Sequence, residues 1–322
     1  MEAKLAVLVG CNYRTNNRKI RELRGCVNDV RSMHQTLITR FGFNPSTIEM
    51  MTDDPDSKKM PTGEKIKAAL ERMFDQAKPG DVLLFYFAGH GTKIPAIFPF
   101  TDKPESAIVP LDLNFITRAD FRKLVNRLPK GATFMFLADS CYSGGLMDQE
   151  KEQTGPGHRQ INQAGAEPIP RMIPFETILS QLSSMAGLNT LDIGVLMVNM
   201  FGANAPAMFG ANALGANAPA MFGANAPAMF GIPPNQFPQP LKHGHGVLIS
   251  GCEPNENSCE GEIDGKFHGL FSYGVQKALK EHPDPITNKQ LVLRIQQIVG
   301  KLYSKQHPCL YCSDKDAHAL FL

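Results

Sequence analysis

A histidine and a cysteine, each next to glycine, are the residues of this chain best suited to chemistry. His90 lies in the motif GHG, and Cys141 begins the motif CYSGG 51 positions later (141 − 90). A thiol becomes a strong nucleophile at neutral pH as the thiolate, which a nearby imidazolium stabilises, and the imidazole can then protonate a leaving amine. Neighbouring glycines admit a peptide and leave N–H groups free for an oxyanion. Either motif alone is a weak signal, since a lone strand-end cysteine is more often structural, but together they predict nucleophilic catalysis.

Alternating strands and helices would position the two residues. Buried apolar runs predict four strands, at 5–9, 81–87, 133–138 and 246–250. Helical spacing predicts a helix over 28–41 with Asn28 as its cap, a second opened by Pro61-Thr62, and a late one with a stripe from Leu291 to Leu302. Such a pattern favours an α/β fold with a mainly parallel sheet, whose reactive edge lies beyond the carboxyl ends of the strands. His90 and Cys141 each follow a predicted strand, so we expect them at the same edge.

The middle of the chain has a different composition. The octapeptide GANAPAMF occurs at 202–209, 215–222 and 223–230, with a truncated GANAL at 210–214. Its Gly, Ala, Asn and Pro have weak helical and strand preferences, and the tract is too short and irregular for a solenoid. We therefore predict a catalytic region at 1–148, a long insertion at 149–244 and a second region of the same domain at 245–322. The insertion is expected to hold one helix near 175–185 and a flexible repeat tract, with partner binding through Met and Phe as the alternative.

Charge and cysteine content narrow the function class. Lys and Arg total 33 against 31 Asp and Glu, a formal net charge of +2, which favours neither nucleic acid nor an anionic membrane as a partner. The apolar run at 5–9 is too short for a signal-peptide core or a membrane span, so we expect a soluble cytoplasmic protein, and a monomer. Seven scattered cysteines predict reduced thiols. Cys309 and Cys312 form a single CxxC, which supplies too few ligands for zinc.

Several longer segments match one known family. They are LAVLVGCNY, ELRGCVNDV, PTGEKIKAAL, AGHGTKIP, AIVPLDLNFIT, DSCYSGGLMD, KEQTGP, VLISGC and QHPCLYCSD. In these segments the chain resembles the type II metacaspases of plants. The resemblance covers nearly everything except the repeat tract and its flanks, and the chain looks closest to the calcium-independent branch. It implies the caspase-haemoglobinase fold and endopeptidase activity for basic residues at the cleaved position.

Carried over residue by residue, the resemblance implies a complete site. His90 is the general base and acid, Cys141 the nucleophile, and the backbone amides of Gly91 and Cys141 form the oxyanion hole. Asp29 and Asp139 match the acidic residues of the specificity pocket, where a carboxylate pair would bind a guanidinium through charge-assisted bonds. Without the resemblance, Asp29 is read as an acid favoured at a helix start and Asp139 as a strand-end carboxylate.

Several positions depart from the family pattern. Ala88 stands where a serine is usual and Tyr142 where a histidine is usual; Asn255 replaces an acid, and Glu260 stands where the family has Asp. These departures motivate a rival hypothesis, a catalytically impaired metacaspase-like protein that acts by binding or scaffolding. A protease of the same fold with another specificity is a third possibility.

Calcium and self-cleavage are further implications of the family. The positions that collect carboxylates in calcium-dependent members offer Glu105, Asp120 and Asp148 here, with Arg118 among them, so we expect no strict calcium requirement and no other cofactor. Arg171 matches the position of self-cleavage between the two regions. Its Pro-rich segment, IPRMIPF, is expected to be a loop open to a protease; one exposed arginine among several is the alternative.

Overall fold

A computed structural model describes residues 2–14, 19–96, 103–148, 151–155, 167–209 and 246–322. The strands within these residues are β1 Lys4–Gly10, β2 Ile48–Thr52, β3 Val82–Ala88, β4 Gly91–Ile94, β5 Glu105–Ile108, β6 Ile116–Thr117, β7 Thr133–Asp139, β8 Ile169–Pro170, β9 Val247–Ser250, β10 Cys259–Ile263, β11 Lys266–Gly269 and β12 Cys309–Tyr311. The helices are α1 Cys26–Thr39, α2 Gly63–Gln76, α3 Arg118–Val125, α4 Phe175–Ala186, α5 Ile193–Phe201, α6 Leu270–Glu281, α7 Asn288–Leu302 and α8 Asp314–His318.

Six strands form the central sheet in the order β12-β9-β7-β3-β1-β2. All neighbours are parallel except β12, which runs antiparallel to β9. Five consecutive residues of β1 and six of both β3 and β7 are buried, and since side chains alternate along a strand, the sheet is covered on both faces. The predicted α/β fold with a mainly parallel sheet is confirmed.

Helices cover the sheet in packed groups. Helices α1 and α2 both contact β1; α1 also packs on α6, α6 on α7, and α2 on α3. Helix α2 begins as predicted after Thr62, whose side chain accepts a hydrogen bond from the Lys65 amide. Two three-stranded sheets, β11-β10-β8 and β4-β5-β6, complete the fold.

The cap of helix α1 lies three residues earlier than predicted (28 − 25). It is Gly25, not Asn28, whose side chain instead donates to the carbonyl of Phe267. The carboxylate of Glu260 accepts the amides of Arg24 and Gly25, at 2.8 and 3.1 Å. A partner so distant in the chain satisfies amides at the helix start, so the local sequence could not indicate where the helix begins.

The described part of the insertion is more ordered than predicted. It contains α4 at the predicted helix and also α5, and the first GANAPAMF copy continues from α5 as two short 3₁₀ turns, Gly202–Asn204 and Ala207–Phe209. Phe209 is fully buried. This copy thus has a defined conformation in the structure, with its apolar end packed into the core. The copies at 215–222 and 223–230 lie outside the described residues.

Helix length and composition bear on membranes as well. None of the helices in the described ranges combines the length and apolar character that a membrane crossing requires.

Candidate active site

The two reactive residues follow neighbouring strands at one edge of the sheet. His90 comes two residues after β3 and Cys141 two residues after β7, and β3 and β7 pair in parallel. Their loops touch: a Cβ on Gly91 would lie 2.1 Å from the carbonyl oxygen of Cys141. Only glycine fits this approach, so GHG and CYSGG meet as the sequence predicted.

The hydrogen bonds of His90 fix its tautomer. Its Nε2 lies 2.7 Å from the carbonyl oxygen of Arg21, which can only accept, so Nε2 carries the hydrogen. In the neutral ring, Nδ1 is then the basic atom, and it is buried without a hydrogen-bond partner among the described residues. The ring lies 4.5 Å from that of Tyr13, whose hydroxyl accepts the His90 amide. The imidazole is thus oriented from both sides, with a free base at Nδ1.

Burial holds the pair in its neutral form. Removal from water lowers the pKa of His90 from 6.5 to about 4, because the imidazolium loses its hydration. The same cause raises the pKa of the Cys141 thiol well above its ordinary value. The thiol bonds to the carbonyl oxygen of Ser258, with Sγ 3.3 Å away. The described state therefore has a neutral thiol and a neutral imidazole, both closed to solvent.

The carbonyl group of Arg171 is bound by the two predicted oxyanion amides. Its oxygen accepts the N–H of Gly91 at 3.0 Å and that of Cys141 at 3.2 Å. The chain on either side runs as a strand: the Arg171 amide donates to Ser258 O at 2.8 Å, and the Ile173 amide to Gly91 O at 3.2 Å. Two convergent amides on one carbonyl oxygen are the arrangement that stabilises a tetrahedral intermediate.

The guanidinium of Arg171 occupies a fully buried pocket of carboxylates. One terminal nitrogen lies 2.7 Å from Asp29 and 3.4 Å from Glu260, and the other lies 3.0 Å from Asp139. All four side chains are 0% exposed. Asp29 also accepts the Gly269 amide at 2.9 Å. The two aspartates that the sequence assigned to the pocket thus meet around one arginine.

Asp139 is held by hydroxyls as well as by the arginine. Oδ1 accepts from Ser258 Oγ at 2.6 Å, and Oδ2 accepts from the amide and hydroxyl of Ser272. Burial raises the pKa of this carboxyl, and the positive charge of Arg171 opposes the rise. Two serines therefore supply hydroxyl contacts in a pocket where Ala88 offers none.

Part of this pocket is not predicted from the sequence. Glu260 stands there only as a departure from the family pattern, and no role is predicted for Gly25 or Gly269. A Cβ on Gly269 would lie 2.0 Å from Asp139 Oδ2, and one on Gly25 would lie 2.9 Å from the arginine. The motif RGCVND around Gly25 was available as a signal, but nothing in the sequence tied Glu260 to Asp29.

The environment expected of Arg171 was wrong. The sequence predicted an exposed loop, whereas Arg171 is fully buried and β8, just before it, pairs with β10. The carboxylate pocket explains the difference, because it offers the guanidinium more hydrogen bonds than a loop position would. The alternative of one exposed arginine among several is equally wrong for Arg171.

The carboxylates considered for calcium already have other partners among the described residues. Both carboxylate oxygens of Asp148 accept hydrogen bonds from Arg122, and Arg118 Nε lies 3.7 Å from Asp148 Oδ1. Asp120 belongs to the capping box of α3, and Glu105 accepts the Ala119 amide at 3.1 Å. Their oxygens face arginines and amides, a donor set that does not fit a hard cation.

A different group of metal-ligand type occurs within the described residues. The ligand atoms of Glu253, Glu256 and His307 lie within 4.8 Å of one another. Two of them already bond to each other, His307 Nδ1 to Glu256 Oε1 at 2.6 Å. We assign this group no metal.

The other cysteines are buried thiols. Cys11 follows β1 near the active edge, and burial raises its pKa well above the ordinary value, which agrees with a core thiol. Cys309 and Cys312 are buried and unbridged. Of the unusual residues, Tyr142 adopts a left-handed backbone (φ 61°), and Asn255 bonds to Lys93.

Comparisons with known proteins agree with this geometry. Residues 4–150 match the family model described as metacaspase, peptidase C14 domain. The chain is 44% identical to Metacaspase-9 of Arabidopsis thaliana, over 100% of this chain and 97% of that one. It is 32% identical to Metacaspase-6 of the same plant, over 99% and 100%. Among solved structures, protein GSU0716 from Geobacter sulfurreducens superimposes with a TM-score of 0.59 at 15% identity, over 98% of this chain and 97% of that one.

Proposed function

The chain belongs to the metacaspases, as a plant-type type II member with the caspase-haemoglobinase fold, and is thus a caspase-like cysteine peptidase that acts on proteins. From this premise we propose that it cleaves after Arg or Lys through His90 and Cys141, and that it cuts itself after Arg171. One observation carries the proposal. The carbonyl oxygen of Arg171 accepts both oxyanion amides while its guanidinium contacts three carboxylates. A residue of the chain itself thus has the contacts expected of a substrate.

The proposed chemistry gives each of the two residues one role. His90 Nδ1 takes the proton of Cys141 Sγ as the sulfur attacks the carbonyl carbon. The oxyanion keeps the two amides that bound the carbonyl oxygen. The imidazolium, oriented by Arg21 O, gives that proton to the leaving amine of Met172. Water then attacks the thioester with His90 as base, and the proton taken from water returns to Cys141 Sγ as the sulfur leaves.

The pocket supports arginine over lysine at the cleaved position. Three carboxylates contact two guanidinium nitrogens, and a planar fork satisfies such a set better than a single ammonium. An acidic side chain would bring a fourth carboxylate into the same pocket. We therefore expect the order Arg, then Lys, with Asp excluded.

The proposal includes a calcium-independent enzyme without another cofactor. Its support is the pairing of Asp148 with Arg122 and the capping role of Asp120. We further propose a cytoplasmic monomer, made as a zymogen, that binds neither nucleic acid nor membranes; a net charge of +2 supports the last point.

The test compares the purified wild type with Cys141→Ala, with and without millimolar calcium. Self-cleavage is followed on gels with N-terminal sequencing of the fragments, and activity with fluorogenic peptides ending in Arg, Lys or Asp. We expect the wild type to yield a fragment beginning at Met172 and to cleave Arg peptides fastest, equally with and without calcium. Cys141→Ala should do neither.

Three outcomes would count against the proposal. Silence of the wild type from acidic to neutral pH would favour the binding or scaffold protein. Cleavage of the Asp peptide would reject the pocket assignment, and activity only with calcium would reject metal independence.

A further inference from the structure

The first GANAPAMF copy lies in a surface groove whose lining includes none of the proposed active-site residues. We call this the repeat groove; it lies between α2 and α3 and is lined by Lys67, Asn114, Asp120, Lys123 and Leu124. A cavity of about 330 Å³ remains between these helices and residues 203–207. The groove is therefore open to solvent beside its occupant.

Backbone atoms of the repeat make the polar contacts. The carbonyl oxygen of Asn204 accepts from Lys67 Nζ and from Asn114 Nδ2, both at 2.9 Å. The amide of Ala207 donates to Asp120 Oδ1 at 3.0 Å. Lys67 and Asp120 are themselves paired at 3.6 Å, so donor and acceptor are held side by side.

The end of the repeat supplies the apolar contacts. Ala205, Met208 and Phe209 are 8%, 6% and 0% exposed, although Gly202–Asn204 lie at the surface. Burial of a phenylalanine and a methionine accounts for most of the apolar surface that the octapeptide removes from water. Recognition therefore depends on APAMF together with one carbonyl and one amide.

The chain carries two further copies of this sequence. Residues 215–222 and 223–230 repeat GANAPAMF without change, whereas 210–214 stop at GANAL and lack Met and Phe. A groove that contacts only these eight residues would bind each of the three identical copies equally well. We propose that the repeat groove is a binding site for GANAPAMF and that segment 215–230 of the same chain occupies it whenever 202–209 leaves.

Connectivity makes 202–209 the resident copy and 215–230 its replacement. Helix α5 ends at Phe201, directly before the first copy, so docking of α5 delivers that copy to the groove. Thirteen residues (202–214) separate α5 from the next copy. A tether of this length holds its end at an effective concentration on the order of millimolar, far above that of any free peptide.

The test measures access to the groove with a fluorescent GANAPAMF peptide and fluorescence polarisation. All proteins are full chains with Cys141→Ala, which keeps them uncut. One variant disables the first copy by Met208→Asp and Phe209→Asp. A second carries the same changes in all three copies (positions 208, 209, 221, 222, 229 and 230), and a third only in the later two. GANALGAN, the sequence of 210–217, is the control peptide.

Only the variant with three disabled copies should bind the peptide well. We expect it to bind GANAPAMF saturably and GANALGAN not at all, and the peptide should raise its Tm. The variant with only the first copy disabled should bind at least about tenfold more weakly, because 215–230 compete from the same chain. The variant with later copies disabled should match the parent, whose groove is filled.

Three results would overturn the proposal. Equal binding by the first-copy and three-copy variants would show that 215–230 do not enter the groove. No binding by a folded three-copy variant would show that the groove does not recognise the octapeptide. A concentration-dependent dimer of the first-copy variant would assign the occupant to a second molecule. If the aspartates prevent folding, Phe209→Ala, Phe222→Ala and Phe230→Ala replace them in the same comparison.

Discussion

At the scale of single residues, His90 combines a basic atom with an environment that opposes its protonation. Within the described part of the chain Nδ1 has no hydrogen-bond partner, and burial holds the pKa of the ring at about 4. Between pH 6.5 and 4, His90 is therefore protonated in the unfolded chain but stays neutral in the folded chain. The folded state is favoured fully above pH 6.5, and this advantage is lost as pH falls toward 4.

The first prediction concerns this loss. Lowering the pH from 7 to 4 should reduce the free energy of unfolding of the Cys141→Ala protein, with His90 contributing on the order of 3 kcal/mol. Adding His90→Asn should remove that contribution. Urea unfolding at a series of pH values measures both. Parallel stability curves for the two proteins would contradict the assignment.

A second prediction concerns Asp139. Asp139→Asn removes one of the charges facing Arg171 and should lower kcat/KM for Arg peptides at least about 100-fold, because a buried charge-assisted bond is lost. Asp148→Asn is the matched control, since that carboxylate pairs with Arg122 outside the pocket. A similar loss in both variants would mean that Asp139 acts through the fold and not through substrate binding.

Local chemistry explains which site residues the sequence revealed. His90 and Cys141 were predicted because each stands after an apolar strand in a glycine-rich motif, and parallel strands bring such ends together. The aspartates came from the family resemblance. Glu260 and the carbonyl of Arg21 were missed, since a carboxylate 231 positions beyond Asp29 (260 − 29) and a backbone oxygen leave no pattern in a sequence.

At the scale of elements, the start of α6 shapes the pocket. Gly269 precedes the helix with its Cα against Asp139 Oδ2, and a Cβ there would also lie 2.5 Å from the guanidinium. Gly261 on β10 has no such crowding, since its nearest atom would be 3.8 Å from a Cβ. The two glycines therefore offer a matched pair of substitutions.

The third prediction uses this pair. Gly269→Ala should reduce activity on Arg peptides at least about 100-fold, because the methyl group displaces the groups that hold the guanidinium. Gly261→Ala should stay within about threefold of the wild type. Steady-state kinetics of both, with circular dichroism as the folding check, give the comparison. An active Gly269→Ala enzyme would place the arginine of substrates elsewhere.

The elements differ in how well a sequence reveals them. Strands β1, β3, β7 and β9 were predicted because long apolar runs mark strands buried on both faces. Strands β8, β10 and β11 were not, since none contains a continuous apolar run: β8 is Ile-Pro, β10 reads CEGEI and β11 reads KFHG. Such strands form because a neighbouring strand supplies their hydrogen bonds, and the neighbour of β8 is β10, about ninety positions away in the chain.

At the scale of the whole molecule, Arg171 joins the insertion to both flanking regions. Asp29 and Asp139 come from the first region and Glu260 from the last, and all three converge on this one cation. Removing it would leave buried carboxylates without a counter-charge, which is strongly destabilising.

The fourth prediction follows. In the Cys141→Ala protein, Arg171→Gln should lower the free energy of unfolding by about 3–5 kcal/mol, and Arg171→Lys by less, since the ammonium keeps the charge. Urea unfolding at pH 7 measures both. A glutamine variant as stable as its parent would show that the carboxylates become neutral when the arginine is lost.

The strand through Arg171 has a consequence for the choice of substrates. Main-chain bonds to Ser258 and Gly91 hold this segment extended on both sides of its carbonyl. A protein substrate that binds in the same extended conformation must first free several residues from its own helices or sheets. Two proteins with the same basic residue would be cut at rates set by how often each opens at that place, so the peptidase would act as a detector of local unfolding in its targets.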